Sequence, residues 1–181
     1  KNKFHGKKAA AAEADIRRYE DSIRYPFTRD IYRNVIATYN SIKTGDQFPL
    51  MTLFNEKGKP VSLENINSDV ILVDFWATWC LPCKQHMTQF PRLMTTYGKK
   101  LAIVSISVDD SLQTMKRFLD QQQYTGKWVT IHNGNSGNYY NTLRIDGYPS
   151  YFILDRNKKI LAMPFFNDME DELEAIMTGI K

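Results

Sequence analysis

Cys80 and Cys83 are the two cysteines of this 181-residue chain, with Leu81 and Pro82 between them. Thiols this close can form and reopen a disulfide, a two-electron redox couple. A structural zinc site would normally take four ligands, and neither a second Cys pair nor a close His pair accompanies them, since His5, His86 and His132 are scattered. A covalent haem site would need His directly after the second cysteine, where Lys84 stands. Two cysteines are too few for the disulfide framework of a small secreted scaffold. Thiol redox chemistry remains, with half a metal site or two inert core thiols as the bland alternatives.

What holds the pair decides whether it reacts. Residues 70–76, Val-Ile-Leu-Val-Asp-Phe-Trp, form an almost continuous apolar run of strand length, as expected of a central strand covered on both faces. The cysteines follow it and lead into a helix expected over 84–97 and closed by Gly98. At a helix start the free backbone N–H groups and the positive end of the dipole stabilise a Cys80 thiolate. Pro82 suits the first turn, which needs no donor from its nitrogen. Asp74 interrupts the apolar strand six residues before Cys80, where a buried acid is costly unless it has a purpose.

The other elements follow from periodicity. Residues 50–55 and 60–63 flank the turn-forming Glu56-Lys57-Gly58-Lys59 and read as a hairpin. Residues 101–108 are a second apolar strand, 112–122 a helix with Met115, Phe118 and Leu119 on one face, and 128–132 a short strand. A Gly/Asn-rich loop over 133–138 and a short helix over 139–143 come next. Residues 151–155 and 160–163 make a terminal hairpin, and 168–179 a closing helix capped by Asp168. Strand, helix, strand, helix is a parallel α/β pattern. Residues 1–45 differ in texture: helix formers over 9–20 until Pro26 interrupts, then Ile31, Val35, Ile36, Tyr39 and Ile42 at helical spacing with Gly45 as a stop. They read as a helical extension or a linker from a preceding region.

The chain is 43% hydrophobic, enough for one substantial core. Its charge of +4 comes from 24 basic and 20 acidic residues mixed along the chain, so no footprint for nucleic acid stands out. No apolar run approaches the roughly 18 residues of a membrane span. Lys1-Asn2-Lys3 has neither Met nor an apolar signal region, so the expectation is a processed chain or fragment whose signal or tether lies outside it.

The segment Val73-Asp74-Phe75-Trp76-Ala77-Thr78-Trp79-Cys80-Leu81-Pro82-Cys83-Lys84 is similar to the active-site segment of thioredoxins, and Gly147-Tyr148-Pro149-Ser150 resembles their cis-proline loop. The early hairpin and the extra helix-strand stretch after Asp109 look more like the bacterial membrane-tethered TlpA/ResA-type reductases. The resemblance covers 46–181 and implies an α/β, thioredoxin-like three-layer fold with a central mixed sheet, preceded by the N-terminal hairpin and the helical extension.

That resemblance implies roles. Cys80, the more exposed cysteine, attacks a substrate disulfide; Cys83 resolves the mixed disulfide; Asp74 shuttles a proton to and from Cys83. Pro149 is expected to be cis, with the backbone of Tyr148 bonding an extended substrate segment. Leu81 and Pro82 belong to the same contact surface, Trp79 forms an apolar rim around Cys80, and Trp76 either joins that rim or lies in the core. Thioredoxins often place a lysine near the buried aspartate; here Ser105 takes that place. The TlpA/ResA-type helix often has an acid three residues after the second cysteine, where His86 stands, read as a solvated helix residue. Tyr148 replaces the usual small or β-branched residue.

The function implied is reduction of protein disulfides outside the cytoplasm, in a bacterial periplasm or cell envelope. Partners would be disulfide-containing proteins and an upstream thiol electron donor, with no metal and no cofactor beyond the Cys80–Cys83 disulfide. Strong oxidants favour a histidine between the cysteines, which Leu81-Pro82 lacks. An oxidant or isomerase, or a non-catalytic binding module, are the alternatives.

Overall fold

The computed structural model describes residues 18–39, 42–49, 51, 53–124, 128–132, 143 and 145–180, without the side chains of 33–39. It divides into two units, 1–41 and 42–181. In the first, residues 18–22 are helical and α1 runs over Pro26–Tyr39. Proline suits a first helical position, so α1 starts there rather than near Ile31. Residues 9–17 of the first expected helix lie outside the described residues. Gly45 is no helix stop: it adopts φ +95° and its N–H donates to the Ile160 carbonyl at 2.8 Å, which fastens this turn to the sheet.

In the second unit the apolar runs become strands β1 (Leu53–Asn55), β2 (Pro60–Val61), β3 (Val70–Trp76), β4 (Leu101–Ser107), β5 (Val129–His132), β6 (Ser150–Asp155) and β7 (Ile160–Ala162). They form one mixed sheet in the order β2-β1-β5-β4-β3-β6-β7. β4 runs parallel to both β3 and β5, whereas β6 is antiparallel to β3 and β7. Parallel neighbours need crossover connections. Helices α2 (Leu81–Met87) and α3 (Phe90–Tyr97) supply the first, and α4 (Leu112–Gln121) the second; α5 (Met169–Gly179) closes the chain.

Every residue of β3 is buried, and its period of two sorts them between layers. Val70, Leu72 and Trp76 pack with Met87, Phe90, Leu93, Met115, Leu119 and Leu173 of the helices. Ile71, Val73 and Phe75 pack against Phe48, Leu63, Leu143 and Ile145 on the other side. The sheet thus lies between two packed layers in a thioredoxin-like α/β fold. Each such side chain contributes about 1.5–3 kcal/mol on burial, so the end of β3 that carries the cysteine loop is rigidly placed.

Two further expectations fail for identifiable reasons. The helix expected over 84–97 is two helices, with Gln89 at the N-cap position of α3 and Pro91 in its first turn. A proline at 91 has no N–H to donate and its ring collides with the carbonyl four residues back, at Met87. Asp168 stands at the N-cap of α5, but its side chain accepts no capping hydrogen bond. The loop expected over 133–138 and all of the helix over 139–143 except Leu143 lie outside the described residues.

Candidate active site

Cys80 and Cys83 are joined by a disulfide, their Cα atoms 5.3 Å apart. Cys80 is the N-cap of α2 in an extended conformation, and its Sγ accepts the Cys83 N–H at 3.2 Å. In this oxidised state both cysteines are nearly covered, Cys80 at 5% exposure and Cys83 at 1%. The faces turned outward are those of Trp79 and Leu81, 67% and 62% exposed. Trp76 does not form part of a rim. It is wholly buried against Phe118, ring centroids 5.4 Å apart, because it points to the helix side of β3.

The loop from β3 to Cys80 is held by a carboxylate that the sequence alone did not single out. Asp109, just beyond β4, accepts the Thr78 N–H at 3.1 and 3.2 Å, the Thr78 hydroxyl at 2.7 Å and the Ser107 hydroxyl at 2.8 Å. Its own carbonyl lies 2.7 Å from Nε2 of the buried His132. The ends of β3, β4 and β5 are thereby tied together one residue ahead of Trp79. The signal available in sequence was an acid directly after an apolar strand, at the carboxyl edge where α/β sheets gather functional groups.

Asp74 is 1% exposed and lies directly opposite Ser105 across the parallel β3–β4 ladder. The Ser105 hydroxyl donates to Oδ2 at 3.1 Å, while Oδ1 is buried with no hydrogen-bond partner among the described residues. Burial raises the Asp74 pKa to about 7, and the Ser105 hydrogen bond only partly offsets it. Asp74 shares its face of β3 with Leu72 and Trp76, which pack in the cluster that holds Cys83. A carboxyl that exchanges its proton near neutrality therefore sits on the helix side of the sheet, beneath the cysteine loop.

The Tyr148–Pro149 peptide is cis. Tyr148 packs edge-on against Trp79, centroids 5.7 Å apart, so the cis-proline loop and the cysteine loop meet. Pro82 lies in the first turn of α2 and is exposed. His86 is not a solvated helix residue. It is half-buried, stacked on the Tyr151 ring with Nδ1 3.0 Å from the phenol oxygen, and it touches Phe166. Desolvation lowers its pKa, opposed by the charge of Glu170.

Residues 44–163 match the AhpC/TSA family. The chain belongs to the AhpC/TSA family. Thioredoxin-like protein YneN of Bacillus subtilis (strain 168) is 31% identical over 129 residues, covering 67% of this chain and 74% of that protein. Thiol-disulfide oxidoreductase ResA of Bacillus anthracis is 24% identical over 152 residues, 83% of this chain and 86% of that protein. The solved structure of a thiol-disulfide oxidoreductase from Bacteroides fragilis NCTC 9343 is 25% identical, covers 72% of this chain and 99% of its own, and superposes with a TM-score of 0.62. Fold and relatives together make this AhpC/TSA member a thioredoxin-fold, ResA-like thiol–disulfide oxidoreductase.

In this AhpC/TSA domain the structure brings Cys80, Cys83, Trp79, Leu81, Pro82, Tyr148 and Pro149 to one end of the sheet, with Asp74 beneath. Among the described residues no cluster of His, Cys, Asp and Glu could hold a metal ion. Besides Asp109, the sequence reading passed over Phe165 and Phe166. They follow Pro164 and line, with Tyr148 and Pro149, a cleft of about 520 Å³.

Proposed function

We propose that this chain reduces disulfides in protein substrates, taking electrons from an upstream thiol donor. The observation that carries the reading is the Cys80–Cys83 disulfide at a helix start with a buried, neutrality-titrating Asp74 behind it. In the reduced protein the Cys80 thiolate attacks one substrate sulfur. The substrate S–S bond breaks, a mixed disulfide forms and a first substrate thiolate leaves. Cys83 then gives its proton to Asp74 and attacks the Cys80 sulfur, which frees the second substrate thiolate and closes the Cys80–Cys83 disulfide. Two electrons have passed to the substrate, solvent protons complete its thiols, and the donor dithiol restores Cys80 and Cys83.

Substrate contact falls to Trp79, Leu81 and Pro82 around the sulfur and to the backbone of Tyr148 beside cis-Pro149, along which an extended segment adds as a strand. Leu81-Pro82 offers no side chain to stabilise the reduced state as strong oxidants do, which favours reduction as the working direction. Substrates of this kind persist in oxidising compartments, which supports a role in the cell envelope or periplasm. Pre-reduced protein, freed of reductant and mixed with disulfide-bonded insulin, is expected to transfer one pair of electrons per chain, read by mass spectrometry as new insulin thiols. An unchanged insulin would contradict the proposal.

A further inference from the structure

Among the described residues of 42–181, the large apolar side chains left exposed are Trp79, Leu81, Val129, Phe165 and Phe166. All but Val129 gather at the redox end. Trp79 touches Tyr148, Tyr148 and Phe165 line the same cleft, and Phe166 touches His86 of the helix that carries the cysteines. Phe165 is 82% exposed. A continuous apolar surface of this kind on an otherwise mixed-charge protein marks a contact site.

The sheet explains why the cleft is there. β6 pairs with β3 along its length, Ser150 opposite Phe75 and Tyr151 opposite Asp74. On its other side β7 is registered with Ile153 and Leu154, and beyond Ala162 the chain turns away through Met163 and Pro164. Proline cannot donate to a ladder, so β7 ends there. The cleft lies alongside the first residues of β6, directly after the cis-proline loop, and Phe152, Met163 and Phe165 line it. Among the described residues that line it, Asp146 is the one that carries a carboxylate.

We infer that this cleft is a side-chain subsite, and that the preferred substrate is an extended cysteine-bearing segment with an aromatic or large aliphatic residue near its cysteine. The inference rests on the reductase reading above and adds the substrate class. A segment added along Tyr148 has side chains two residues apart on one face. When its cysteine faces Cys80, the next side chain on that face, in the direction of Phe165, enters the cleft. Selection is then by apolar burial rather than by charge, and the edge beside β6 favours an extended chain over a folded surface.

The test uses three short peptides, each with a single cysteine in mixed disulfide with thionitrobenzoate. One has glycine elsewhere, one carries Phe two residues before the cysteine and one Phe two residues after it. Single-turnover reduction by the pre-reduced full chain is followed by stopped flow. One Phe peptide is expected to react roughly 10-fold or more faster than the glycine peptide, in keeping with burial of one large side chain. In Phe165→Ser and Phe166→Ser that ratio should fall to within about 3-fold, the scale left when most of the apolar contact is gone. Equal rates on all three peptides would remove the subsite while leaving the reductase reading standing. Failure to reduce any of them would sink both. A dimer in analytical ultracentrifugation that Phe165→Ser disperses would give the surface to a second copy and overturn the inference.

Discussion

Cys83→Ser is expected to accumulate substrates as stable mixed disulfides on Cys80, and Cys80→Ser to accumulate almost none. The reason is geometric. Cys80 is the N-cap, 5% exposed and flanked by the two exposed side chains Trp79 and Leu81, whereas Cys83 lies inside the first turn at 1% exposure; both pack at the helix-side core. An incoming disulfide reaches Cys80; Cys83 reaches only what Cys80 already holds. Without Cys83 the second exchange has no nucleophile, so the intermediate persists and turnover falls to background. The measurement is non-reducing electrophoresis with mass spectrometry of adducts after mixing each variant with a disulfide-bonded protein. Comparable adducts on both variants would contradict the ordered roles.

Asp74→Asn should slow the second exchange by about tenfold to a thousandfold at pH 7 to 8, the usual reach of a positioned general base. The first attack should be nearly unchanged, so mixed disulfide builds up transiently. Below about pH 6 the gap between parent and variant should narrow, because a carboxyl with pKa raised to about 7 is then protonated in the parent as well. Stability must move in the opposite sense. The unfolded-chain value is 3.8 and the folded value about 7, so between them the native state holds a proton that the unfolded state has lost. The parent therefore loses stability as pH rises from about 4 to about 7 and is level above that, by at most about 4 kcal/mol on this group's account. Asp74→Asn cannot ionise and lacks that slope, and the Ser105 hydroxyl can turn to accept from its amide. Urea unfolding of both proteins at pH 5 and pH 8 checks this. A constant difference in midpoint between the two pH values would show that Asp74 does not carry the buried titration.

The central chemistry was legible in the sequence because it depends on short-range signals. An apolar strand of seven residues, a Cys-x-x-Cys and a following helix place Cys80 at the cap whatever the rest of the chain does. The Asp74–Ser105 pairing was legible through the resemblance to thioredoxins, which puts Ser105 where a lysine often accompanies the buried aspartate, and the parallel β3–β4 ladder sets the two residues opposite each other. What was not legible depends on distant pieces meeting. Asp109 grips Thr78 from 31 residues away. On helical spacing His86 looks like a surface residue, yet Tyr151 of β6 rises to stack on it. Phe165 and Phe166 fall between the elements that periodicity marks, and the cleft they line exists only once the cis-proline loop and β6 are in place beside them. The break between α2 and α3 is different in kind, for Pro91 was visible all along and its clash with the Met87 carbonyl follows from covalent geometry.

The reductase claim is tested most directly by the reduction potential of the Cys80–Cys83 couple, obtained by equilibrating the protein in glutathione buffers and counting free thiols. With Leu81-Pro82 between the cysteines and no histidine there to stabilise the reduced form, a value near that of thioredoxin, about −270 mV, is expected. A value near −120 mV, that of a strong oxidant such as DsbA, would contradict it.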